Sequence, residues 1–173
     1  MKTRVRLMKR FLAAMIILFV SACIMKGQGK MSFSIGLGFP ETLNAGLKAR
    51  LNQSQLGLNI GFWPANNEGF IFTWENVFSI CGDYYYHFAG KSVYSDLKPF
   101  YFRAGLNYLF IKWSGSDIDN LFNTQLRVGR DFYFPKNGGL GLDGGLILHL
   151  NDVDETWGSA IGWSAGVCLF FVF

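Results

Sequence analysis

Nine side chains in this sequence have the types that do chemistry: Lys48, Arg50, Asp83, His87, Arg103, Arg127, Asp131, Asp143 and His149. Asp83 and His87 invite reading as an acid–base dyad. On an extended strand, however, residues four apart stand about 13 Å from one another at roughly 3.3 Å each, so they cannot touch. Ser79 and Asp83 fail as a pair for the same reason. His149, followed closely by Asp152 and Asp154, is the one place where a histidine and carboxylates could meet beside a loop. Metal binding finds no support: the two histidines and the pair Cys81 and Cys168 fall in separate segments without ligand spacing. There is no phosphate-cradling loop and no nucleophile motif, and no cofactor is expected.

The elements that must position these residues are short alternating segments, because side chains on a strand point to opposite faces with period two. The cleanest is 31–39, with Met31, Phe33, Ile35, Leu37 and Phe39 on one face and Ser32, Ser34, Gly36 and Gly38 on the other. Pro40-Glu41-Thr42 breaks it as a turn. Ala45 to Leu51 places Lys48 and Arg50 on a polar face, and Leu56 to Phe62 alternates likewise. Val77 to Phe88 is the fourth strand, with Ser79, Cys81, Asp83, Tyr85 and His87 on one face. Phe70, Phe72 and Trp74 keep its parity and could extend it. Phe100 to Phe110 carries Arg103, Phe122 to Phe134 carries Arg127 and Asp131, and Leu140 to Leu150 carries Asp143 and His149. The eighth, Ile161 to Phe173, is wholly apolar on one face and mostly small or polar on the other. All nine ionisable side chains share the face that holds Gly and Ser.

At 173 residues the chain is expected to form one domain. It is rich in Gly (21) and Phe (18) with only 16% charged residues, a β composition. Beyond the N-terminal segment no apolar run reaches the roughly twenty residues of a membrane helix. The net charge of +4 does not point to nucleic acid. Five of the 16 basic residues (Lys2, Arg4, Arg6, Lys9 and Arg10) lie in the first ten, leaving 11 against 12 acidic. Those five precede the apolar core Phe11–Val20, the pattern of a secretory signal peptide. Residues 1–27 are therefore read as a leader and 28–173 as the mature domain. Cleavage near Gly27-Gln28 is one possibility. The other is at 22/23, because Val20-Ser21-Ala22-Cys23 resembles a lipoprotein lipobox, which would leave Cys23 lipidated.

Eight amphipathic segments of about ten residues match an antiparallel up-and-down transmembrane β-barrel. Hydrocarbon tolerates no unpaired backbone group, a condition met only by helices and closed barrels. The apolar set is also too bulky for the inside of eight strands, so it must face outward. The strand count, alternation, leader and terminal aromatic strand together resemble the small eight-stranded outer-membrane barrels of Gram-negative bacteria, OmpA- or OmpX-like. That resemblance implies Phe171 and Phe173 as an insertion signal read by the barrel-assembly machinery. It also implies both termini on the periplasmic side and a monomer embedded in outer-membrane lipids. It places outer loops near 40–44, 63–76, 114–120 and 151–159, and inner turns near 52–55, 89–98 and 135–139. Cys81 and Cys168 then fall on opposite sides of the barrel, too far apart for a disulfide.

In this frame the inward ionisable set has two readings, a pore lining or active site on one hand and a plug of mutually satisfied charges on the other. A narrow lumen favours the plug. The expected role is accordingly non-enzymatic: structural, adhesive or surface-interacting, with an unidentified extracellular ligand. A small porin-like solute channel and a lipid A acylase or deacylase built on His149 are the alternatives. A regular hairpin about 114–120 would set Arg103 opposite Asp131 and Asn107 opposite Arg127, with Asp143 beside Asp131. Arg130 and Lys112 stand out as charges on the lipid face, tolerable only near an interface.

Overall fold

The computed structural model describes residues 30–64, 74–113, 118–150 and 161–173. These form eight strands: β1 Met31–Phe39, β2 Thr42–Leu51, β3 Ser54–Pro64, β4 Trp74–Ala89, β5 Phe100–Trp113, β6 Ile118–Tyr133, β7 Gly138–His149 and β8 Ile161–Val172. Each is antiparallel to the next, and β1 pairs with β8 to close a barrel. The closure extends past β8, since Met31 and Phe173 exchange backbone hydrogen bonds of 3.2 and 2.9 Å. Closure leaves no edge in the paired part of the sheet.

The alternation of the sequence becomes inside and outside. Ser32, Ser34, Lys48, Asn59, Asp83, Arg103, Gln125 and Arg127 are buried in the lumen, while Ile35, Leu37, Phe62, Leu126, Val128, Leu146 and Leu169 are exposed outside. Toward the end opposite the start of β1 and the end of β8 the inside changes character. There Val77, Leu109, Ile111 and Leu121 pack as an apolar cluster, and Ile147 is also buried. The polar inner face therefore occupies only part of the barrel's height.

Several boundaries differ from the sequence reading. β2 begins at Thr42, so the first connection shrinks to Pro40-Glu41. β4 starts at Trp74, one of the residues expected to be able to extend it, whereas β6 starts at Ile118 rather than Phe122. Asn52 and Asn137 take the left-handed backbone at φ 63° and 55°, which shortens the turns they occupy. The expected register also needs correction. Arg103 lies opposite Arg127 and Asn107 opposite Asn123, while Asp131 faces Gly141 and Asp143 faces Gly129. The polar residues Asp119 and Asn120, taken for loop, are paired strand down to Ile118, and this moves the centre of the hairpin.

The β1–β2 hairpin is the shortest of those at its end. Its last pair is Gly38 with Thr42, whereas β3 and β4 pair as far as Pro64 with Asn76, and β4 and β5 as far as Trp74 with Trp113. Its turn consequently ends beside the middle of the wall. The Glu41 carbonyl accepts from Ser79 Oγ at 3.0 Å, and the Glu41 side chain is only 2% exposed.

Candidate functional site

Arg103 and Arg127 project into the lumen from directly opposed positions, a like-charge pair that would destabilise the sheet by itself. Three carboxylates resolve it. Arg103 grips Asp83 with both arms of its fork, Nε to Oδ1 and Nη2 to Oδ2, each at 2.8 Å. Its Nη2 also donates to Glu41 Oε1 at 2.6 Å, and its Nη1 to Asp143 Oδ2 at 3.3 Å. Arg127 donates to Glu41 Oε2 at 2.6 Å, Asp143 Oδ1 at 2.9 Å, Ser164 Oγ at 3.0 Å and the Phe39 carbonyl at 2.7 Å. Such planar, charge-assisted forks are the strong class of hydrogen bond.

Neutral donors complete the carboxylates. Asn59 Nδ2 reaches Asp83 Oδ2 at 2.6 Å, Gln125 Nε2 reaches Glu41 Oε1 at 2.8 Å, and the Tyr101 hydroxyl reaches Asp143 Oδ2 at 3.1 Å. The cluster thus ties the β1–β2 turn to β1, β3, β4, β5, β6, β7 and β8 across the lumen. Its walls are close-packed. A Cβ on Gly105 would strike Asp83 Oδ1, and one on Gly166 would come within 2.9 Å of both Arg127 Nη1 and Asp143 Oδ1. Glycine is required at these positions because the charged groups fill the space a side chain would take.

The remaining residues of the inward set lie elsewhere. His87 is not beside Asp83: its ring bonds the Lys98 carbonyl at 2.7 Å and Gln55 Oε1 at 3.2 Å. Asp131 is not beside Arg103 either, contrary to the expected register, and its Oδ2 accepts from the Tyr133 hydroxyl at 3.1 Å. Lys48 lies with its ammonium 4.4 Å from the centre of the Tyr85 ring. Arg50 pairs with Asp96 at 3.6 Å near the mouth. His149 Nδ1 is 2.6 Å from Asn123 Oδ1, and Asp152 and Asp154 lie outside the described residues, as does Cys23. Cys81 and Cys168 are free thiols. Phe171 and Phe173 point outward and are exposed. Arg130 faces outward too, its guanidinium over the rings of Phe132 at 4.7 Å and Phe100 at 5.0 Å. The side chain of Lys112 is outside the described set.

Sequence reasoning missed Glu41, the residue shared by both arginines. Alternation could not reveal it, because it belongs to a turn. The available signal was the shortness of that connection, read in the sequence as the turn Pro40-Glu41-Thr42, which leaves the tip little reach toward the rim.

The chain matches no family model, and no curated protein matches it. Among solved structures it is similar to Neisserial surface protein A, with 12% identity and a TM-score of 0.48 over 83% of this chain and 92% of that one.

Proposed function

We propose that this chain is an integral barrel of the bacterial outer membrane, with a structural, adhesive or surface-interacting role rather than a catalytic or conducting one. The reading rests on one combination: an outside of exposed Leu, Ile, Val and Phe around a lumen stoppered by Arg103, Arg127, Glu41, Asp83 and Asp143. In water, an apolar girdle of that extent would be an aggregation surface. In lipid it is the expected exterior, and closure satisfies the backbone. The stopper is built of paired charges, so it resists displacement by a passing solute.

On this reading the protein is a monomer whose partners are outer-membrane lipids and the assembly machinery that inserts it, with no nucleic acid involved. The decisive measurement is its behaviour in native membranes. It should run anomalously on an unheated detergent gel and resist protease, whereas carbonate extraction with complete digestion would overturn the membrane assignment. In a planar bilayer the folded protein should give no discrete conductance steps. Steps would support a channel, and turnover of labelled lipid A would support an enzyme.

A further inference from the structure

Below the charge cluster, at the end of the barrel where β1 begins and β8 ends, lies a recess of about 250 Å³. The strands contribute Lys48 and Arg50 from β2, Gln55 from β3, Asp131 and Tyr133 from β6 and Phe170 from β8. The connection 90–99 between β4 and β5 forms its rim and is fastened on both sides. Gln53 Nε2 donates to the Asp96 carbonyl at 2.9 Å, the Lys98 amide to Gln53 Oε1 at 3.2 Å, and the Asp131 amide to the Pro99 carbonyl at 2.8 Å. Leu97, within this connection, is buried. The recess is therefore a built cavity rather than a loose mouth.

Its electrostatics are unfinished. Lys48 is only 4% exposed, yet among the described residues its ammonium has no carboxylate partner and rests on the faces of Tyr85 and, at 5.8 Å, Phe170. A buried ammonium ordinarily has an anionic partner. The carboxylates deeper in the barrel are engaged by Arg103 and Arg127. Asp131, 5% exposed, also lines the recess. Its Oδ1 is enclosed by the wall beside Gly141 and has no partner among the described residues, so the recess meets the carboxylate through Oδ2, which also takes the Tyr133 hydroxyl. The other charges at the recess are occupied with one another at the rim, Arg50 and Lys30 both against Asp96 at 3.6 and 3.9 Å.

We infer that this recess is a binding site for a small zwitterion of amino-acid size, its carboxylate on Lys48 and its ammonium on Asp131. A simple anion would satisfy Lys48 but face Asp131 and Asp96, and a simple cation would meet Lys48, Arg50 and Lys30. A solute carrying both charges matches both walls. The recess, about 250 Å³, has room for one such molecule with several waters beside it.

The test uses the full mature chain refolded in detergent and titrated with L-alanine, acetate and methylammonium, reading backbone amide resonances. L-alanine should shift Ser32, Lys48 and Asp131 saturably. Acetate and methylammonium should bind roughly tenfold or more weakly, as expected when one charge-assisted contact is lost. Lys48→Met and Asp131→Asn should each weaken L-alanine binding by a similar factor. The two variants are independent, and each is checked for folding by its migration on an unheated gel. No saturable shift with L-alanine in the folded wild type would overturn the proposal. So would unchanged binding in a folded variant, or acetate binding as tightly as L-alanine.

Discussion

Glu41 and Arg127 are 86 residues apart in the chain and 2.6 Å apart in the lumen, and the same carboxylate reaches Arg103 with its other oxygen at the same distance. One turn residue therefore neutralises the like-charge contact between β5 and β6. The β1–β2 hairpin is as much a part of the plug as of the wall.

Glu41→Gln keeps the shape of the side chain and removes its charge, leaving two buried guanidiniums to share Asp83 and Asp143. Breaking a buried ion-pair network from one side costs about 3–5 kcal/mol, and that is the expected loss of stability. Urea titration of the refolded protein, scored by the folded and unfolded bands on an unheated gel, measures it. Asp96→Asn at the exposed rim provides the comparison and should change stability by about 1 kcal/mol or less.

The architecture was legible because the strands follow one rule over most of their length, visible in Ser32 and Ser34 against Phe33 and Ile35. The site was legible only in composition. Alternation correctly assigned Arg103, Arg127, Asp83 and Asp143 to one face, but partners across a closed lumen depend on register and strand tilt, which alternation does not encode. Asp119 and Asn120 looked like loop and are strand, so the β5–β6 register moved and Asp131 was lost as a partner of Arg103. The apolar cluster of Val77, Leu109, Ile111 and Leu121 was hidden for a related reason. Near the end of a strand, apolar residues on both faces erase the period.

The two arginines on opposite faces should respond very differently to the same change. Arg103→Met strips Asp83 of both arms of its fork and should cost about 3–5 kcal/mol. Arg130→Met removes only the stacking of an outward guanidinium on Phe100 and Phe132, worth about 0.5–1 kcal/mol. Comparable urea midpoints for the two variants would show that the luminal network is not what holds the barrel together.

Gly61 tests how the turn is seated. A Cβ built there would collide with the Glu41 carbonyl oxygen and with Ser79 Oγ, so Gly61→Ala must push the β1–β2 turn out of the lumen or shift β3. Either movement loosens the carboxylate from both arginines. The expected loss is about 1–3 kcal/mol, typical of overpacking a filled interior. Gly144→Ala serves as the control. Its nearest contact would be the Ser164 carbonyl at 3.8 Å, and its stability should not change measurably.

Asn107 offers a change in the opposite direction. It is fully buried at 0% exposure, and neither its amide nitrogen nor its oxygen has a partner among the described residues. Opposite it lies Asn123, whose oxygen is held by His149 and whose nitrogen likewise has no partner there. Two positions further along β5, on the same inner face, the apolar cluster begins with Leu109. A buried amide without hydrogen bonds costs about 1–3 kcal/mol, whereas an apolar group of similar size next to Leu109 would gain contact area. Asn107→Leu is therefore expected to raise stability by about 1 kcal/mol, seen as a higher urea midpoint with unchanged slope. A lower midpoint would mean that the amide is satisfied in the folded protein, most simply through an ordered water between Asn107 and Asn123, and that this level of the lumen belongs to the polar network rather than to the apolar cluster.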